Sequence, residues 1–208
     1  DVKIILPAYN SVLEKAAATG VKQVAQFTID GEPVVIRQTR LPGSKVTAWL
    51  VDIPEFSERV GNPYCGIDGN DWPDNHKRFS IFCKAIETIA LNQANLNWQP
   101  DIVHCNDWQT GLVPALLSLH PHHIATVFTI HNLAYRGLFS QQAFAELNLP
   151  PAFWHHERLE FYAQLSFIKG GIAFADYVTT VSPSYAREIQ KPEFGCGLDG
   201  LLRYRSES

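Results

Sequence analysis

Asp101-Ile102-Val103-His104-Cys105-Asn106-Asp107-Trp108 sets a short apolar run directly against a polar turn that carries a carboxylate. Ala125-Thr126-Val127-Phe128-Thr129-Ile130 does the same into His131-Asn132-Leu133-Ala134-Tyr135-Arg136-Gly137. Tyr177-Val178-Thr179-Thr180-Val181 does it into Ser182-Pro183-Ser184-Tyr185. Short β-branched runs bounded by turn residues read as buried strands. Helical patterns lie between them: residues 108–119, an apolar-all-round stretch at 164–175 that reads as a buried helix, and 183–189, opened by Ser182 as N-cap with proline at the first helical position. Such alternation predicts an α/β fold, a doubly wound, mostly parallel sheet with helices on both faces.

Working outward, the first third reads as strands at residues 2–6, 22–30, 33–39 and 46–52, with Gly31-Glu32 as a hairpin break. Residues 61–74 hold three Gly, two Pro, three Asp and two Asn, which marks a long polar loop of the kind that often carries function. Phe79, Phe82, Cys83, Ile86 and Ile89 then fall at helical spacing, so residues 75–92 form an amphipathic helix, with Asp74 as the expected N-cap.

Composition narrows the function classes. Apolar residues make up 46 % of the 208, as in a folded globular chain rather than a disordered one. Charged residues are 18 %, against roughly 25 % on average, which suggests that another domain covers part of the surface. A formal charge of −4 argues against a broad nucleic-acid-binding face. No apolar run is long enough for a membrane helix. The four cysteines form no CxxC pair, and free thiols fit a reducing cytoplasm. The chain has no Met and opens directly on a strand, so a piece of a longer protein is expected.

In a doubly wound sheet, ligands bind outside the carboxyl ends of the strands. Asp107, Trp108, His131, Asn132 and Ser182 are expected to converge there. Amides and a carboxylate suit a hydroxyl-rich ligand, and an indole ring stacks on a sugar face. Each has a plainer reading: Asp107 as a helix cap, His131 as a core histidine, Trp108 as packing. His120, His122, His123, His155 and His156 invite a metal reading but lack a carboxylate at ligand spacing, and no metal site is expected. Residues 195–200 match GxGxxG literally, yet follow a predicted helix rather than a strand, which makes a nucleotide cradle a poor reading.

Several segments resemble those of bacterial glycogen synthases and plant starch synthases. Residues 101–108 resemble their "PDxVHxxDW" segment, and Phe128-Thr129-Ile130-His131-Asn132-Leu133-Ala134-Tyr135-Arg136-Gly137 is similar to "HNLAYQG". Val181-Ser182-Pro183-Ser184-Tyr185-Ala186-Arg187-Glu188-Ile189 is similar to "VSPTYAREI", and residues 192–202 resemble "PEFGYGLEGLL". Gly61-Asn62-Pro63-Tyr64 and Trp72-Pro73-Asp74-Asn75-His76 fit the same family's polar loop.

The resemblance implies a retaining glucosyltransferase of two-domain GT-B type, moving glucose from ADP-glucose to the non-reducing end of an α-1,4-glucan. It implies a Rossmann-like N-terminal domain for this chain, with residues 1–208 as a single incomplete, acceptor-side domain. His131 corresponds to the active-site histidine near the donor glucose, and Asp107 is taken with it as a catalytic candidate. Tyr64, Trp108 and Asn132 match positions lining the sugar and acceptor cleft. No cofactor is implied; ADP-glucose and the glucan are the partners, together with a C-terminal domain of the same chain. A "KTGGL" loop would precede residue 1. Gln109 stands where many members have His, and Ala163 where many have Gly. Two other classes stay open from the residues alone: a non-catalytic glucan-binding module, and a metal-dependent phosphoesterase using Asp107, Asn132 and nearby histidines.

Overall fold

The computed structural model describes residues 1–206. Backbone contacts divide the chain into two compact units, Asp1–Gln99 and a second beginning at Pro100, where the sequence reading has one domain.

The first unit opens with strand β1 (Lys3–Pro7) and helix α1 (Asn10–Ala16), followed by β2 (Lys22–Ile29), β3 (Glu32–Arg40) and β4 (Thr47–Asp52). The sheet order is β1-β4-β3-β2. β1 runs parallel to β4, while β2, β3 and β4 form an antiparallel meander. The hairpin turns at Asp30-Gly31, one residue earlier than expected, because Ile29 pairs with Glu32. After the short α2 (Pro54–Ser57) comes α3 (Asn75–Ala90). All five apolar positions picked out by the helical period in α3 are buried. Each contributes about 1.5–3 kcal/mol if fully buried as a large side chain. Asp74 precedes α3 but makes no cap bond. Its two oxygens accept from Arg59 instead, at 2.7 and 2.5 Å. A bidentate, charge-assisted pair outcompetes the weaker bond to a helix N–H.

The second unit runs through β5 (Ile102–Asn106), α4 (Leu112–Leu117), β6 (Ala125–Ile130), β7 (Leu138–Phe139) and α5 (Gln141–Glu146). It continues through β8 (Glu160–Phe161), β9 (Gln164–Ser166), α6 (Phe167–Phe174), β10 (Tyr177–Thr180), α7 (Pro183–Glu188) and α8 (Asp199–Tyr204). β5, β6 and β10 form a parallel sheet in the order β10-β6-β5. This is the α/β, Rossmann-like arrangement that the strand–helix alternation predicts. β7, β9 and β8 form a small antiparallel sheet. The GxGxxG match runs from the turn after α7 into the first residues of α8, following a helix, so it lacks the strand a phosphate cradle requires.

Two expected helices are shorter than the hydrophobic pattern suggests. Residues 164–166 pair as β9 with β7 and β8, and α6 starts only at Phe167, where Ser166 Oγ accepts from the Lys169 N–H. Residues 108–119 divide into a 3-10 turn (Trp108–Thr110) and α4. Gly111, at the break, lies against the first turn of α6. A Cβ there would sit 2.0 Å from the Phe167 carbonyl oxygen, and one on Gly170 would sit 2.8 Å from the Gly111 oxygen. Two glycines therefore let the backbones touch where side chains would hold them apart.

The β8–β9 turn is made by Tyr162 at φ +48° and Ala163 at φ +62°. An L-residue in this left-handed region costs about 1–2 kcal/mol that glycine avoids. Glycine in turn loses more freedom on folding, an offset of about 0.4–1 kcal/mol. Ala163→Gly is therefore expected to raise stability, by up to about 1 kcal/mol. Thermal melts of the two proteins check this; a lower Tm for the glycine variant would show that the Ala163 methyl contributes more than the strain costs.

Candidate active site

Because β5, β6 and β10 are parallel, their carboxyl ends share one edge. Asn106 pairs with Thr129, and Ile130 with Thr180, so the residues just beyond come together. The ladder continues one step past β5, where the Asp107 N–H donates to the Thr129 oxygen at 3.0 Å. The chain then turns sharply: Asp107 has φ +56° and ψ −177°. This region is nearly reserved for glycine and costs on the order of 1–3 kcal/mol.

Several bonds hold Asp107 there. Its Oδ1 accepts from the His131 N–H at 2.8 Å and the Asn132 N–H at 3.4 Å. Thr110 Oγ1 accepts from the Asn106 N–H at 2.7 Å and lies 2.9 and 3.1 Å from the Asn106 and Asp107 carbonyl oxygens. The helix-cap reading of Asp107 is thus displaced: no cap bond forms to the following turn, and the carboxylate crosses to the end of β6. Two N–H donors on an ionised acceptor form the stronger class of hydrogen bond.

His131 is exposed, which sets aside the core-histidine reading. Its Nε2 lies 3.0 Å from Asn106 Oδ1. With that amide oxygen accepting, the neutral ring carries its proton on Nε2 and keeps Nδ1 as an acceptor. Asn132 is also exposed, and its Oδ1 accepts from the Ala134 N–H at 3.0 Å, bending the loop after β6. The Leu133 N–H donates to Tyr185 Oη at 2.9 Å, and Thr180 Oγ1 donates to the Ile130 oxygen at 2.7 Å. Ser182 caps α7, its Oγ accepting from the Tyr185 N–H at 3.1 Å. The edge is cross-braced from all three strands.

Trp108 is a correction. Only 8 % of its surface is exposed. Its ring packs against Phe139 and Phe167, with centroids 5.9 and 6.1 Å away, so it is part of the core beneath the edge and leaves little face open for stacking. An apolar ring this large contributes more by burial in that cluster than by facing water. The exposed ring on this loop is Tyr135, at 66 %. Tyr64 belongs to the first unit, in the loop of residues 61–74, and is 41 % exposed.

Sequence reasoning missed Asn106, Thr110, Tyr135 and Tyr185. Asn106 was legible as the residue immediately before Asp107; ending the strand one position early hid it. Tyr185 carried no signal beyond a helical position, because its role depends on how α7 lies over the end of β6. Burial pushes the Cys105 thiol up to about 12, against a smaller lowering by Thr110, so it stays protonated and is no nucleophile. His123 Nε2 lies 3.1 Å from Asp176 Oδ1, and the His155 and His156 ring centroids are 4.2 Å apart with the rings tilted by 41°. Among the described residues no three His, Cys, Asp or Glu are grouped to hold a metal.

The Asp107 brace makes a prediction. Asp107→Ala removes the acceptor of two exposed backbone N–H groups, which water can then reach, at a cost of about 1 kcal/mol. It should also speed amide exchange at His131 and Asn132. Asp107→Asn keeps an acceptor oxygen and should fall between. Hydrogen-exchange mass spectrometry of the 131–135 segment reads this, and unchanged exchange in the alanine variant would remove the brace.

A family model described as the starch synthase catalytic domain matches residues 1–204. The chain is 73 % identical over 208 residues to a glycogen synthase of Cellvibrio japonicus and 56 % identical over 209 residues to one of Thioalkalivibrio sulfidiphilus. These matches take in 100 % and 99 % of this chain and 43 % of each relative. In structure it is similar to the catalytic domain of starch synthase IV from Arabidopsis thaliana bound to ADP and acarbose, with a TM-score of 0.79 and 26 % identity, over 99 % of this chain and 43 % of that one. The chain therefore spans less than half the length of the relatives it matches, and it belongs to the starch synthase catalytic domain family.

Proposed function

We propose that this chain is the acceptor-side part of a retaining glucosyltransferase, moving glucose from ADP-glucose to the non-reducing end of an α-1,4-glucan in glycogen synthesis. The observation that carries the reading is the exposed His131, held by Asn106 and backed by Asp107 at the edge where three parallel strands end. The glycogen synthase relatives support the reaction class, and the starch synthase bound to ADP supports the donor, since ADP is what glucose transfer from ADP-glucose leaves behind. ADP-glucose enters as substrate, with no cofactor, nucleic acid or membrane partner, and the enzyme works in the cytoplasm. Among the described residues no helix is long and apolar enough to cross a membrane.

In this mechanism a retaining transfer through an oxocarbenium-like state rests on positioning and charge stabilisation. His131 hydrogen-bonds a hydroxyl of the donor glucose. Its ring is aimed by Asn106, and its backbone is fixed by the Asp107 carboxylate. Asp107 is then a positioning residue rather than a nucleophile, because its Oδ1 is already engaged by two N–H groups. Asn132 shapes the same loop, and Tyr64 contributes to the acceptor cleft. The departing phosphates need cationic contacts, which this reading assigns to a KTGGL-type loop and to a C-terminal domain of the same enzyme.

Two expected outcomes follow. The purified 208-residue polypeptide by itself transfers no glucose from ADP-glucose; measurable turnover, free of host synthase, would contradict the need for a second domain. In the full-length enzyme, His131→Ala lowers kcat by about 10²-fold or more, by analogy with removal of a preorganised hydrogen-bonding group, while the melting temperature barely moves. Steady-state kinetics and thermal melts on one preparation test this. A much lower Tm with unchanged kcat would make His131 structural.

A further inference from the structure

The first unit buries a guanidinium that no strand-end argument uses. Arg78, on the first turns of α3, is 2 % exposed. It sits over the rings of Phe79 and Phe56, 4.9 and 5.4 Å from their centroids. Burial lowers its pKa, and the charges around it only partly offset this. Among the described residues no carboxylate is hydrogen-bonded to it. Its Nη2 donates to the Pro63 carbonyl, its Nε to Asn75 Oδ1 at 2.8 Å, and its Nη1 to the Glu55 oxygen at 3.4 Å. A buried cation is costly unless its donors are satisfied, and here it is satisfied largely by loop backbone.

That loop is the one bearing Tyr64. Asn75, oriented by Arg78, donates its Nδ2 to the Tyr64 carbonyl at 3.1 Å, and the Trp72 N–H donates to the same oxygen at 3.0 Å. Asn62 Oδ1 accepts from the Tyr64 and Cys65 N–H groups, each at 2.8 Å. At the neck, Arg59 pairs with Asp74 and lies 4.6 Å over the Trp72 ring. Gly61, at φ +143°, completes the neck: a Cβ there would be 2.7 Å from the Cys65 oxygen. The loop has almost no apolar core of its own, so its shape depends on these polar ties; of those that meet at residues 63 and 64, the two that reach in from α3 both run through Arg78.

We propose that Arg78 is a positioning residue for the glucan acceptor: through Pro63 and Asn75 it fixes the backbone on which Tyr64 is presented. The proposal rests on the reading of Tyr64 as an acceptor contact. Lysine cannot replace Arg78, since a point charge does not reach three acceptors set in a fork.

The test uses the full-length enzyme carrying Arg78→Lys, Asn75→Ala, Tyr64→Ala, and Arg78→Lys combined with Tyr64→Ala. Asn75→Ala keeps the buried charge and serves if the lysine variant folds poorly. KM for glucan and for ADP-glucose, kcat, Tm, and hydrogen exchange of residues 61–74 are measured. The expected result is a glucan KM raised about tenfold with kcat within about twofold, as loss of acceptor positioning requires. Exchange in residues 61–74 quickens, and the double variant is no worse than Tyr64→Ala alone, since coupled residues are not additive. A lowered Tm with unchanged glucan KM and loop exchange would overturn the proposal, as would additive effects of the two substitutions. A wild-type enzyme that transfers no glucose to glucan would instead overturn the function itself and the acceptor role with it. Loop exchange in the variants would then still show whether Arg78 holds residues 61–74.

Discussion

A single carboxylate oxygen ties together the ends of two parallel strands: Asp107 Oδ1, at the end of β5, accepts the first two backbone N–H groups beyond β6. Parallel strands stop making ladder bonds at their carboxyl ends, and the N–H groups beyond must find other acceptors. Here an ionised side chain supplies one. The position that lets it do so is a backbone conformation close to glycine-only, so the brace and the strain are two aspects of one arrangement. It fixes the backbone of His131 and Asn132, from which the Asn106 contact, the Asn132–Ala134 bend and the Leu133–Tyr185 bond extend the bracing.

The packing beneath explains why that edge stays in place. Gly111 and Gly170 bring the segment after β5 and helix α6 into backbone contact. Trp108, Phe139 and Phe167 fill the space alongside as a ring cluster in which Phe167 meets both others edge-on, with Phe139 and Phe167 centroids 5.1 Å apart. The strand-end edge is polar and open, and the layer below it is apolar and closed. In the first unit the same division of labour recurs in another form, where a long polar loop is fastened by two arginines instead of by a core.

Strand positions, the helical face of α3 and the convergence of polar strand ends were legible because each depends on local periodicity. Phe79, Phe82, Cys83, Ile86 and Ile89 are buried because a helix places them on one side, whatever lies opposite. The errors cluster where two local readings compete. Residues 164–166 have the apolar content of a helix, but their N–H and C=O groups are taken by β7 and β8. Asp74 has the residue type and place of an N-cap, but Arg59 lies within reach and binds both of its oxygens. Trp108 suits a sugar platform as well as a core, and only the neighbouring phenylalanines choose between them.

By itself, the sequence determined the α/β class, the convergence of polar strand ends at one edge, and the family to which the motifs belong. It did so because strand period, helix period and residue type act over a few neighbouring positions. Only the tertiary structure decided that Asp107 faces β6 rather than its own helix, that Asn106 aims His131, that Trp108 is buried, and that Arg78 carries the loop of Tyr64. Each of those roles is a contact between residues far apart along the chain, such as Asp107 with His131 or Arg78 with Pro63, and no local pattern encodes which distant partner a polar group will find.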